Sequence, residues 1–148
     1  MTVFSIDFDG TCVTHEFPKV GKDIGAESVL KELVENGHKL ILFTMRSDKE
    51  DVHSDNHFIH KEAGQYLTDA VNWFKQRNIP LYGIQTNPTQ HTWTTSPKAY
   101  AEKYIDDAGM GIPLIYPFGK EQKHNYRPYV DWIKLRELLI EEGIIKND

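Results

Sequence analysis

Cysteine, long hydrophobic runs and an excess of basic residues are scarce or absent in this sequence of 148 residues. The single cysteine, Cys12, cannot form an internal disulfide and has no second cysteine for a zinc site, so we expect a reducing compartment, the cytoplasm. No apolar run approaches the length of a membrane-spanning helix, and the first residues read as a strand rather than a signal peptide. The formal net charge of -5 argues against the basic surface that nucleic-acid-binding proteins use.

Internal repeats and low-complexity segments are also absent, and the length is typical of one domain with a substantial core. We therefore expect a single domain over residues 1–148. Short apolar segments alternate with segments of helical periodicity, a pattern typical of parallel sheets. It predicts an α/β, three-layer Rossmann-like fold, with a mostly parallel sheet of about five strands and helices on both faces. The predicted strands are 3–6, 39–43, 81–84, 103–105 and 112–116, the last at an edge because of Pro113, and the helices are 26–36, 57–77 and 128–142.

The most informative stretch is residues 5–11, where two aspartates follow a short apolar segment. The apolar residues have strand character, and Gly10-Thr11 has turn chemistry. We expect Asp7 and Asp9 at the carboxyl end of a buried strand, which is where ligands bind in open α/β sheets. Alone, such a sequence is more often a solvated turn than a site, so the interpretation depends on the rest of the chain.

Polar side chains also accompany other predicted strands. Thr44 follows the second strand, Asp106 and Asp107 follow the fourth, and Lys98 lies in the loop before the fourth. Clustered carboxylates repel one another and raise each other's pKa, which a hard cation relieves. Oxygen ligands without cysteine suit Mg²⁺ bound to a substrate phosphate, so Mg²⁺ is the expected cofactor. A lysine and a hydroxyl suit the charged oxygens of a phosphoryl group.

These residues resemble the motifs of the haloacid dehalogenase-like (HAD) phosphohydrolases. Asp7-Phe8-Asp9-Gly10-Thr11 resembles the family's Asp-x-Asp-Gly-Thr signature. Thr44 resembles the second motif, Lys98 the third, and Ile105-Asp106-Asp107 the acidic fourth. The motifs occur in the family's order and span residues 5–109, which is most of the chain.

The resemblance implies a Mg²⁺-dependent phosphatase that hydrolyses a phosphomonoester through an aspartyl-phosphate. It makes Asp7 the nucleophile and Asp9 the general acid and base. Thr44 would hold a phosphoryl oxygen, and Lys98 would neutralise the nucleophile and the transferred group. The implied metal ligands are Asp7, the backbone carbonyl of Asp9, and Asp106, with Asp107 as a second candidate; Thr11 and Arg46 are the candidate substrate-binding residues. Arg46 is about as well explained as a surface arginine.

Two features depart from the family's usual pattern. Only seven residues separate Lys98 from Asp106, so Lys103 is a competing position for the lysine. The acidic motif is Asp-Asp, which leaves open whether Asp106 or Asp107 binds the metal directly. The segments that could hold a large cap are too short, so we expect a capless member with an open site.

Two functions from other classes remain as alternatives. One is a phosphoacceptor signalling module, although such modules place adjacent acids, not Asp-x-Asp, on their first strand. The other is a catalytically silent phosphate-binding protein on the same fold. The expected partner is a phosphorylated small molecule or the phosphate-bearing end of a polymer; a homo-oligomer is compatible with the sequence, and a membrane partner is not expected.

Overall fold

Residues 1–48, 64–119 and 127–147 are described by a computed structural model. A parallel four-stranded sheet with the strand order β3-β2-β1-β4 lies at its centre. Its strands are β1 (Val3–Ile6), β2 (Lys39–Leu42), β3 (Gly83–Ile84) and β4 (Lys103–Ile105). Helices α1 (Ala26–Glu35) and α2 (Tyr66–Gln76) lie between the first three strands, and α3 (Trp132–Glu141) comes last. The predicted Rossmann-like α/β class is confirmed.

The main sheet has four strands where the pattern predicted about five. The predicted fifth strand is the short β5 (Leu114–Ile115), which pairs antiparallel with β6 (Tyr129–Val130) in a separate ribbon. Pro113 has no N–H for a ladder, and its carbonyl accepts the N–H of Asp131 instead. This correction removes one strand from the sheet. Of the helix predicted over 57–77, residues 57–63 lie outside the described residues.

All three helices pack against one face of the sheet. Their apolar stripes join the side chains of β1, β2 and β4 that point to this face in one cluster. The largest buried members include Phe4, Phe8, Phe74 and Trp132. Across the described ranges, no helix combines the length and hydrophobicity that crossing a membrane requires.

The opposite face is covered by residues 85–102, because the chain returns past β1 from β3 to β4 and right-handed crossovers place that return on the other side. Ala99 is buried there against Val3 and Ile41. This segment contains a single 3-10 turn, Gln90–Thr92, so the helices that we predicted on both faces of the sheet lie on one. Its polar residues offer no apolar stripe for a helix to bury. The buried amide of Gln90 organises it instead, with hydrogen bonds to the backbone of Asn87, Ser96, Lys98 and Tyr100.

Candidate active site

Three carboxylates meet at the carboxyl ends of β1 and β4. These strands are parallel neighbours in which Ile6 pairs with Ile105, so the next residues, Asp7 and Asp106, come side by side. One carboxylate oxygen from each of Asp7, Asp106 and Asp107 lies within 4.8 Å of the others. The structure thus brings together the three side chains that the resemblance implies as metal ligands.

The hydroxyl of Thr11 links two of these acids. Its Oγ1 donates to Asp7 Oδ2 at 2.9 Å and accepts the backbone N–H of Asp107 at 3.0 Å. Thr11 is 0% exposed, and its carbonyl accepts the indole N–H of Trp132 at 2.7 Å. Thr11 therefore helps to hold two of the carboxylates in place, and its predicted substrate-binding role stays a prediction.

The three carboxylates perturb one another's ionisation. Burial raises the pKa of Asp7 to about 8, and Asp107 and Asp106 add to the effect, while the hydrogen bond from Thr11 opposes it. Burial also raises the pKa of Asp106. Burial acts in the same direction on Asp107, but hydrogen bonds with His15 and Asp7 outweigh it and lower the pKa of Asp107. Asp7 is therefore the acid that keeps a proton when no cation is bound, and Asp107 is the one that loses it.

His15 is a site residue that the sequence patterns did not select. Its Nε2 lies 2.8 Å from Asp107 Oδ2, and the two side chains are 12% and 11% exposed. The ring lies directly against Gly10, where a Cβ would clash with it, and the φ of Gly10 is +82°. Glycine is therefore needed at this turn for space as well as for backbone conformation. The Asp-Gly step signals the turn, but 92 residues separate His15 from Asp107, and no local pattern signals that contact.

Asp9 has a partner of its own, which is Arg46. The Nε and Nη2 hydrogens of Arg46 donate to the two oxygens of Asp9 at 2.8 and 2.7 Å. The Arg46 side chain is 1% exposed, and its guanidinium lies 5.0 Å from the Phe8 ring centroid. Its remaining hydrogens go to the carbonyls of Pro18, Lys19 and Tyr66.

All five donors of Arg46 are thus used inside the protein. The alternative of a surface arginine is wrong because Arg46 is buried, whereas its predicted substrate-binding role stays a prediction. Arg46 holds Asp9, the residues after the first motif and the start of α2 together.

Thr44 follows β2 next to the carboxyl end of β1, where the Phe43 N–H donates to the Ile6 carbonyl. The hydroxyl oxygen of Thr44 accepts the N–H of Arg46 at 3.1 Å. Within the described part of the chain, no residue accepts a hydrogen bond from this hydroxyl. Its hydrogen can therefore be donated to a ligand at the sheet edge.

Lys98 is exposed on the segment that covers the second face. Its Nζ lies 5.6 Å from the ring centroid of Tyr104, which contacts Phe43 edge-on. No ion pair joins Lys98 to a carboxylate among the described residues, so its catalytic role stays a prediction. The competing Lys103 lies at the amino end of β4 and pairs with Glu142 at 3.5 Å, which makes it the less suitable of the two.

Comparisons with known proteins extend the fold but assign no activity. No protein-family model matches the chain, and no curated protein matches it. A solved structure described as a conserved protein from Bacteroides thetaiotaomicron is similar, with 27% sequence identity and a TM-score of 0.66. The match covers 96% of this chain and 91% of that chain. The α/β architecture therefore recurs over almost the full length of both.

Proposed function

We propose that this protein is a Mg²⁺-dependent phosphatase that hydrolyses a phosphomonoester through an aspartyl-phosphate on Asp7. The observation that carries the proposal is the cluster of Asp7, Asp106 and Asp107, whose ligand atoms lie within 4.8 Å of one another. Three carboxylates at this distance, with the pKa of Asp7 raised to about 8 by burial and by its neighbours, favour a divalent cation that offsets their charge. The four HAD-like motifs support the same reaction class.

Asp7, Asp106 and the backbone carbonyl of Asp9 are the groups that would hold Mg²⁺. Asp107 already binds His15 through Oδ2, whereas Asp106 makes only a local contact, accepting the N–H of Ala108 at 2.8 Å. We therefore assign Asp106 as the direct ligand and Asp107 as its support. When bound, Mg²⁺ would supply positive charge to the phosphoryl oxygens and help Asp7 to lose its proton.

Asp7 attacks phosphorus, and its oxygen forms the new bond to phosphorus as the bond to the leaving group breaks. The Thr44 hydroxyl donates to a phosphoryl oxygen, and Lys98 adds positive charge to the transferred group. Asp9 gives a proton to the leaving oxygen and then takes one from the water that hydrolyses the acyl phosphate. Each oxygen of Asp9 accepts a hydrogen bond from Arg46 with one lone pair, which leaves a second lone pair for proton transfer.

The buried Cys12 is a weak competitor for the role of nucleophile. Burial raises the pKa of its thiol, and Asp7 and Asp9 add to this, so the thiolate that such a reaction needs is disfavoured. The proposed substrate is a phosphorylated small molecule or the phosphate-bearing end of a polymer, and the proposed compartment is the cytoplasm.

The test is release of phosphate from a panel of phosphomonoesters, with and without Mg²⁺. We expect Mg²⁺-dependent turnover that falls by at least about 10³-fold in Asp7→Asn, because the amide is a poor nucleophile. The matched control is Asp69→Asn, which makes the same change at an exposed position of α2 and should leave turnover unchanged.

Other outcomes identify the alternatives. Full activity in Asp7→Asn would make the nucleophile assignment wrong. One phosphoryl group taken up per chain without turnover would indicate the signalling module. Phosphate binding without any covalent step would indicate the silent phosphate-binding protein.

A further inference from the structure

Gln85, directly after β3, has an unusual backbone conformation. Its φ is +66°, in the left-handed region that favours glycine. The other non-glycine residue with positive φ in the described ranges is Asn78, at +57°, just after α2. A glutamine kept in this conformation needs a reason, because glycine would adopt it without strain.

The side chain of Gln85 supplies that reason, since its amide both accepts a hydrogen bond from the backbone after β2 and donates hydrogen bonds to it. The Thr44 N–H donates to Oε1 at 2.8 Å, and Nε2 donates to the carbonyls of Thr44 at 2.6 Å and Arg46 at 3.2 Å. The backbone N–H of Gln85 donates to the Leu42 carbonyl at 2.7 Å. The amide thus continues the β2–β3 ladder beyond its last backbone pair, Leu42 with Ile84.

These bonds determine how Thr44 is presented. They occupy the N–H and the carbonyl of Thr44, while its hydroxyl oxygen accepts the Arg46 N–H at 3.1 Å. The hydroxyl hydrogen is the one polar group of Thr44 without a partner among the described residues. The backbone that carries this hydroxyl is therefore fixed from the neighbouring strand by the amide of Gln85.

We propose that Gln85 is a positioning residue that orients the Thr44 hydroxyl toward a phosphoryl group held at Asp7. This inference rests on the proposed function, because it needs an anion at the sheet edge. Gln85 acts through Thr44 and contributes no atom to the reaction.

The test measures the affinity for orthovanadate in the presence of Mg²⁺ by titration calorimetry, since vanadate imitates a phosphoryl group in transfer and needs no known substrate. Gln85→Met keeps the length of the side chain and removes its three hydrogen bonds, and we expect about tenfold weaker binding. Gln85→Gly removes the same bonds but relieves the left-handed strain, so it should bind vanadate as weakly while its unfolding temperature falls less than that of Gln85→Met.

Two further variants separate positioning from a general effect on the fold. Asn78→Gly makes the same backbone change at the other positive-φ residue and should leave vanadate affinity unchanged. In Thr44→Val, which lacks the hydroxyl, adding Gln85→Met should cause no further loss, because the two residues act in series.

Each outcome decides the inference. A tenfold loss that disappears in the Thr44→Val background supports it. The same loss in both backgrounds, or no loss in Gln85→Gly, overturns it and leaves the proposed function standing. Absence of vanadate binding by the wild-type protein overturns the inference together with the proposed function.

Discussion

Asp7 and Asp9 are separated by a single residue, yet they have opposite surroundings. Asp7 faces two further carboxylates, and burial beside them raises its pKa to about 8. Asp9 has both oxygens bound by the buried guanidinium of Arg46, at 2.8 and 2.7 Å. In the part of the chain that the structure describes, Asp7 therefore has no cationic side chain beside it to offset the neighbouring carboxylates, whereas Asp9 has the guanidinium of Arg46.

The difference separates two tasks within the Asp-x-Asp motif. A carboxylate with a permanent arginine partner is held in one place. A carboxylate among other carboxylates changes its charge when a cation arrives, which is what a cation-dependent nucleophile requires. Under the proposed function, this contrast favours Asp7 as the reactive position and Asp9 as the held one.

Removing the partner of Asp9 should produce the largest loss of stability. Arg46→Met leaves the Asp9 carboxylate without its charge partner in a confined site, and we expect the free energy of unfolding in urea to fall by about 3–5 kcal/mol. The matched control is Arg136→Met, which breaks an equally short pair with Glu32, at 2.8 and 2.9 Å, whose side chains are 40% and 28% exposed. Water and salt screen that pair, so its loss should be much smaller. Equal losses would show that burial adds nothing to the Asp9–Arg46 pair.

Removing the charge of Asp7 should instead raise the free energy of unfolding. As pH rises, the unfolded chain releases the Asp7 proton near its ordinary pKa of 3.8, whereas the folded chain keeps it until about 8. The contribution of this group to stability is thus complete below about pH 4 and is lost as pH rises to about 8.

In metal-free protein, Asp7→Asn should therefore be more stable than wild type at pH 8, by a few kcal/mol at most. The advantage should shrink as the pH is lowered toward 4, and thermal unfolding in EDTA at several pH values measures it. An advantage that does not depend on pH would show that the shifted pKa is wrong.

Mg²⁺ should stabilise the folded protein by offsetting the negative charge of Asp7, Asp106 and Asp107. At one hundred times the dissociation constant, a cation that binds only the folded state stabilises it by about 2.7 kcal/mol, which is seen as a higher unfolding temperature. We expect this shift in the wild-type protein and its loss in Asp7→Asn and Asp106→Asn. Asp107→Asn should keep a reduced shift, because we assign Asp107 as a residue that supports Asp106 and does not bind Mg²⁺ directly. A full shift in Asp106→Asn with none in Asp107→Asn would exchange the roles of these two residues.

Much of the fold could be predicted from the sequence, because strand and helix periodicity reflect burial directly. The elements β1, β2, β4 and α1 lie within a residue or two of their predicted bounds. Residues 112–116 were misplaced, since their apolar character suits any strand while Pro113 removes an N–H that the main sheet would need. A short apolar segment does not indicate which partner it pairs with.

The candidate site likewise has a part that could be predicted from the sequence and a part that could not. Asp7 meets Asp106 because two parallel neighbouring strands end in acids, and the resemblance of the motifs implied this pair as metal ligands. The contacts that Asp9, Asp107 and Thr44 make with Arg46, His15 and Gln85 span 37, 92 and 41 residues. They depend on side-chain rotamers and, at Gln85, on a left-handed backbone in a residue type that rarely adopts it. No local pattern carries that information.

The most direct test of the contrast between Asp7 and Asp9 is to locate the phosphoryl group on the protein by peptide mapping after rapid quenching. Asp9→Asn, phosphorylated from an aryl phosphate whose leaving group needs no proton, is the variant of choice, because loss of the base that activates water should let the phosphoenzyme accumulate. We predict one phosphoryl group per chain, on Asp7, formed only with Mg²⁺ and released by hydroxylamine as an acyl phosphate is. A phosphoryl group on another aspartate, or turnover by a protein that is never phosphorylated, would contradict the account.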